Sequence, residues 1–197
     1  MFKHLLLALL FLGLPLISFA QVYTPDIIDS KLAIEGANYH GYLTYFDRKV
    51  GTVKKELWTF CNQFGHLTKK EKYYTITLSK IYNEGNVDLT LFVLLSGEDD
   101  KSSLSIALNT VNLPQDKLPP YHEQTKTLLL NFKKTFYQNI YQKYIDNKIQ
   151  NTKKLSRKYK KLSRHPDQEL AAYDTMKQIA SINTEIQQLV KKIKALE

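Results

Sequence analysis

The run of 44 residues from Tyr121 to Arg164 has the pattern of one unusually long helix, and it constrains everything around it. Its first part is apolar, with Leu129, Phe132, Phe136 and Ile140 at helical spacing, and its last part is strongly basic. At 1.5 Å per residue such a helix would be roughly 66 Å long, which exceeds the span of a small domain. We therefore expect the first part to dock on a sheet and the last part to project from it.

The basic part contains a near-repeat with a period of seven. Residues 153–166 read Lys-Lys-Leu-Ser-Arg-Lys-Tyr and then Lys-Lys-Leu-Ser-Arg-His-Pro, which places Leu155, Tyr159 and Leu162 on one coiled-coil stripe. A helix usually ends before a proline, so Pro166 predicts the end of this one. Heptads continue beyond it, with interface positions predicted at Met176, Ile179, Asn183, Ile186, Val190 and Ile193.

A short connection between two helices favours an antiparallel hairpin, which we predict over residues 143–197 as a coiled-coil arm. A further apolar row at Ile182, Leu189 and Leu196 suits a helix with more than one neighbour. Asn183 either fixes register or oligomeric state, or lies at a solvated part of the seam.

Positive charge is concentrated in the first limb of this arm. The chain has 28 Lys and Arg, 19 Asp and Glu, and a net charge of +9. One acid, Asp146, lies between residues 143 and 164. The same segment holds the basic candidates for binding a partner or polyanion: Lys143, Lys148, Lys153, Lys154, Arg157, Lys158, Lys160, Lys161 and Arg164.

The N-terminus has the pattern of a signal peptide over residues 1–20. Lys3 and His4 precede an apolar stretch at 5–17, and Ser18-Phe19-Ala20 is a cleavage pattern. The apolar stretch is shorter than the roughly 20 residues that span a bilayer. We therefore expect a periplasmic or secreted mature chain that begins at Gln21 and has no transmembrane span.

The globular part is predicted to be an α+β domain over residues 38–142, after a lead-in segment at 21–37. Strands are expected near 38–46, 74–79, 89–95 and 103–108, where apolar and polar residues alternate or β-formers cluster. An amphipathic helix from Val50 ends at Gly65, which suits a C-cap. The order β-α-β-β-β-α predicts an antiparallel sheet of about four strands with two helices on one face.

No catalytic, cofactor-binding or metal-binding motif is present in the sequence. The histidines after residue 20 lie in different predicted elements without metal-ligand spacing, and the single cysteine, Cys61, falls on an apolar helix face. We predict no cofactor and a buried Cys61. If the protein is an enzyme, His40 and His66 are the preferred candidates.

Two stretches carry a resemblance in architecture. Tyr73-Tyr-Thr-Ile-Thr-Leu and Leu128-Leu-Leu-Asn-Phe-Lys-Lys stand in an order that resembles a class of uncharacterised exported bacterial proteins, in which a small α+β domain precedes a lysine-rich C-terminal helical hairpin. In strand and helix order the chain is also similar to folds of the TATA-binding-protein type, with one strand fewer. Neither resemblance implies a function.

Three classes of function stay open from the sequence. The preferred one is a non-enzymatic structural or interaction protein of the cell envelope, whose arm self-associates or binds an envelope partner. The second is binding to a polyanion, such as an anionic lipid or lipopolysaccharide surface, through the basic helix at 143–164; export argues against nucleic acid. The remote third is an envelope enzyme.

Overall fold

A computed structural model describes residues 26–79 and 89–196, so the predicted signal peptide and the start of the lead-in lie outside the described residues. The described chain is α+β, with a single six-stranded antiparallel sheet. The strands, in spatial order, are β1 (Ile28–Ile34), β2 (Ala37–Phe46), β6 (Lys101–Leu108), β5 (Leu89–Glu98), β4 (Tyr74–Leu78) and β3 (Gly65–Lys69). Three α-helices accompany them: α1 (Val50–Cys61), α2 (Leu118–Leu162) and α3 (Glu169–Lys194).

The sheet has six strands, so the expected number of four is wrong. β1 lies within the segment interpreted as a lead-in, where it pairs with β2 in the register Leu32↔Tyr39. Its sequence gives a weak signal because only Leu32 and Ile34 are buried, on one face of an edge strand. β3 is short and buries only Leu67.

Gly65 also has a different role from the one predicted. α1 ends at Cys61, and Gly65 is the first residue of β3 rather than a helix cap. A Cβ at this position would lie 2.2 Å from the carbonyl oxygen of Thr77 on β4. Glycine is therefore required here by the close approach of two strands.

One face of the sheet is covered by α1 and α2 and holds the main core. Phe132 and Phe136 of α2 pack against Phe46 of β2, with ring centroids 5.7 and 4.9 Å apart. Cys61 is fully buried in this core, as predicted, and burial raises the pKa of its thiol to about 12. The first part of the long helix thus docks on the sheet.

The opposite face of the sheet has a smaller cluster of its own. The β1–β2 hairpin brings Leu32 and Ile34 against Phe92 and Ala107. Gly41 of β2 is part of this hairpin and pairs with Ala107 of β6, and a Cβ at this position would be 2.3 Å from the carbonyl oxygen of Ile106. Only glycine permits this close approach of backbone to backbone.

α2 is continuous for 45 residues, close to the predicted run, and α3 follows after a short 3₁₀ turn at Pro166–Gln168. Lys148 of α2 is ion-paired with Glu185 of α3, and the Lys192 ammonium lies 5.8 Å from the centroid of the Tyr141 ring. From the first contact to the second, the residue number falls along α2 and rises along α3. Within residues 26–79 and 89–196, no helix has a segment long and apolar enough to cross a membrane.

Candidate interaction surface

The buried side of α3 follows a heptad pattern along its whole length. Ile179, Ile186 and Ile193, which were predicted as interface residues, are half-buried at a spacing of seven. Between them the inward positions are alternately three and four residues apart. The complete inward row is Ala172, Thr175, Ile179, Ile182, Ile186, Leu189, Ile193 and Leu196.

The other predicted positions on α3 do not belong to this row. Met176 and Val190 are 46% and 38% exposed, and Asn183 is exposed as well. Thr175, Ile182 and Leu189 are the inward residues instead, each one residue before a predicted position. Both rows fit a heptad, and the row with Ile182 and Leu189 is the more apolar of the two. Met176, Asn183 and Val190 therefore form an exposed flank of α3, which remains open to another molecule.

α2 presents a matching row toward α3. Leu155 and Leu162 are half-buried and Tyr159 is 37% exposed, all on the stripe that the near-repeat predicts. The row continues toward the sheet at Thr152, Lys148 and Ile145 with alternating steps of three and four.

Two of the nine basic candidates are engaged within the molecule. The Lys143 ammonium lies 2.5 Å from Glu56 Oε1 of α1, and Lys148 is paired with Glu185 of α3. No sequence pattern predicts these pairs, because each joins residues of different helices whose relative register is set only by the tertiary fold.

The other seven basic candidates are exposed, and none of them forms an ion pair with the described part of the chain. With 100° between successive helical residues, they fall within an arc of about 160° opposite the side that meets α3. We call this arc the basic face; it consists of Lys153, Lys154, Arg157, Lys158, Lys160, Lys161 and Arg164.

Like charges repel one another along the basic face. Four pairs of these side chains are three residues apart and four more are four residues apart, the spacings at which helical neighbours meet. A like-charge pair at such a spacing destabilises a helix by roughly 0.2–0.5 kcal/mol at low salt. A helix face that serves only for solubility usually intersperses acids with bases, and this one has none.

The histidines are arranged differently from the pair proposed for an enzyme. His40 of β2 meets His122 of α2, with Nδ1 atoms 3.4 Å apart, and its Nε2 lies 3.6 Å from Asp29 Oδ1. Burial, followed by the charge of His40, lowers the pKa of His122. His66 lies on β3, which three strands (β6, β5 and β4) separate from β2, so His40 and His66 are not brought together.

No group of three or more His, Cys, Asp or Glu side chains in the described ranges is arranged to hold a metal ion. A surface cavity of about 1060 Å³ surrounds the β5–β6 turn and is lined by residues such as Tyr45, Asp99 and Lys101. Its acids lie on a turn, where the sequence favours a solvated role. The exposed sides of α2 and α3 are therefore the main candidate surface.

Comparisons with known proteins add little to this description. No protein-family model matches the chain, and no curated protein matches it. Among solved structures, the crystal structure of CalU16 from Micromonospora echinospora is similar at 15% sequence identity over 55% of this chain and 80% of that chain. The TM-score of 0.36 is too low to support an argument about fold or function.

Proposed function

We propose that the chain is an exported, non-enzymatic interaction protein of the cell envelope that self-associates through its C-terminal helical arm. One observation carries the proposal: Met176, Asn183 and Val190 form an exposed row on α3 with a period of seven. A seven-residue period is the repeat that a neighbouring helix can follow. The signal-peptide pattern at residues 1–20 supports export.

The two helices of the arm act in this proposal as an antiparallel coiled coil. Support comes from the pairing of Lys148 with Glu185 and from the heptad spacing of the inward rows on both helices. The inward rows are satisfied within the molecule, so self-association uses the flank that they leave exposed.

The row is symmetric in a way that favours a second copy of the chain as the partner. It reads apolar, amide, apolar, so a two-fold antiparallel arrangement places Met176 against Val190 of the other copy and brings the two Asn183 side chains together. An asparagine amide both donates and accepts hydrogen bonds, so the two can bond to each other. A buried Asn pair of this kind specifies register, because shifted arrangements leave the amides without partners.

Light scattering coupled to size exclusion tests the proposal on the purified protein. We expect the mass of a dimer, and we expect the double substitution Met176→Glu with Val190→Glu to give a monomer by placing like charges in the interface. The matched control is Gln178→Glu with Gln188→Glu, which adds the same charge to exposed positions of α3 outside the row. The control should remain dimeric.

Two results contradict the proposal. One is a wild-type protein that stays monomeric at the highest attainable concentration. The other is a dimer that survives in the Met176→Glu, Val190→Glu variant, because that would place the interface elsewhere.

A further inference from the structure

We propose that the basic face of α2 binds the phosphate headgroups of an anionic lipid bilayer. Its seven cationic side chains are exposed, and the structure pairs none of them with an acid in the described ranges. They span residues 153–164, about 17 Å of helix at 1.5 Å per residue. Lys and Arg clusters of this density on a helix are attracted to anionic membrane surfaces.

Binding to an anionic surface would lower the electrostatic repulsion among the cationic side chains of the basic face. Like charges three and four residues apart repel along the whole face, and anionic headgroups would neutralise them. The repulsion is largest at low salt, where the attraction to an anionic surface is also largest. The arrangement therefore favours an anionic partner rather than water alone.

The composition of the face specifies the depth of binding. From residue 150 to 164, the arc contains only Gln150 besides the cationic side chains. The interfacial helices that insert into a bilayer carry apolar side chains for that purpose, and this face has none. The protein should therefore lie on the headgroups without penetrating the acyl region.

A bilayer fits this face better than a nucleic acid. Proteins that hold single strands stack bases on aromatic side chains, and the only Phe, Tyr or Trp in residues 150–165, Tyr159, lies in the row toward α3. A straight helix with a broad cationic arc meets a planar surface along its full length. The expected export of the chain also places it among lipids.

This inference is independent of self-association. The basic face lies opposite the side that meets α3, whereas the proposed dimer row lies on α3. A monomeric protein could bind vesicles, and a dimer could fail to do so.

Co-sedimentation with vesicles of phosphatidylglycerol tests the proposal on the purified protein. We expect binding at low ionic strength and its loss as NaCl approaches about 0.5 M, where the Debye length is only a few ångströms. Vesicles of phosphatidylcholine, which carry no net charge, should not bind the protein. The same result with both lipids, or no binding at low salt, would overturn the proposal.

Two triple variants with the same net charge distinguish binding through the basic face from binding that depends only on net charge. Arg157→Gln, Lys161→Gln and Arg164→Gln together remove the centre of the face, whereas Lys31→Gln, Lys55→Gln and Lys69→Gln remove three exposed charges of the α+β domain. Each basic residue near an anionic surface strengthens binding about fivefold. The first variant should therefore lose about 100-fold in affinity, and the second less than fivefold.

Equal losses in the two variants would mean that binding reflects net charge and would overturn the assignment to this face. Circular dichroism should show unchanged helix content in both, because every substituted side chain is exposed. Competition with a short DNA duplex distinguishes the other polyanion: displacement at duplex concentrations far below those of accessible lipid would assign the face to nucleic acid instead.

Discussion

Lys133 is the most unusual single residue of the fold, because its ammonium group is buried in the core. The side chain is 1% exposed, and its Nζ donates a hydrogen bond to Thr44 Oγ1 at 2.8 Å. The Thr44 hydroxyl in turn donates to the carbonyl oxygen of Asp26 at 2.9 Å. Desolvation lowers the pKa of Lys133, and the charges of Asp26 and Asp47 oppose this only in part. Protonation of Lys133 therefore costs more in the folded chain than in the unfolded chain.

Replacing Lys133 with Met should flatten the alkaline dependence of stability on pH. Because the folded pKa is lowered, the unfolded chain holds the proton to a higher pH, and the contribution of Lys133 to the free energy of unfolding rises with pH up to about 10.4. In Lys133→Met, the slope of the free energy of unfolding against pH should be lower than in the wild type by at most about 1.4 kcal/mol per pH unit. Urea unfolding of both proteins between about pH 8 and 10 measures it. The exposed Lys154→Met is the control, and an unchanged slope in Lys133→Met would contradict the argument.

Gly41 shows how one residue shapes an element, the β1–β2 hairpin. A Cβ here would lie 2.3 Å from the Ile106 carbonyl oxygen and 2.7 Å from Ala107 Cβ, and neither the backbone atom nor a methyl on a central strand can move aside. The same hairpin carries Leu32 and Ile34, which pack against Phe92 and Ala107 in the outer cluster.

Gly41→Ala should therefore destabilise the protein by about 1–3 kcal/mol, the usual range for overpacking. The same substitution at Gly51 in α1 should have the opposite sign. No atom lies within 4 Å of a Cβ there, and Ala is favoured over Gly in a helix by up to about 1 kcal/mol. Urea unfolding of the two variants compares them directly. A neutral Gly41→Ala would mean that the two strands can separate without cost.

The elements differ in how far the sequence predicts them, for physical reasons. β2, β4, β5 and β6 have clear alternation or apolar runs, whereas β1 and β3 bury only one or two side chains each and owe their existence to pairing with a neighbour. The basic face follows directly from the helical period. The inward row of α3 does not, because two apolar rows one residue apart both satisfy a heptad, and packing against α2 selects between them.

At the scale of the whole molecule, the predicted boundary between domain and arm at residue 143 falls inside α2, and the core does not stop there. Leu196, near the end of α3, is 8% exposed and belongs to the same hydrophobic cluster as Ile140 and Tyr141. Leu189 and Ile193 pack against this cluster too. The sequence could not reveal this, because it depends on how α3 packs against the rest of the chain.

Leu196→Ala should consequently destabilise the α+β core and the helices together, by about 2 kcal/mol, the lower end of the range for a buried leucine. Two probes distinguish the parts of the molecule: far-UV circular dichroism reports mainly on the long helices, and fluorescence reports on Trp58 of α1, the one tryptophan of the chain. Their urea midpoints should coincide in the wild type and shift together in the variant, as in a two-state transition.

The matched control is Leu170→Ala, the same change near the other end of α3 at a side chain that is 76% exposed. With either probe, it should change the free energy of unfolding by no more than about 0.5 kcal/mol. A Leu196→Ala variant that loses helical signal at a lower urea concentration, while the Trp58 transition stays in place, would show that the arm unfolds separately. Coincident shifts would instead mean that the arm is held by the core, so that ligands bound along the arm stabilise the sheet as well.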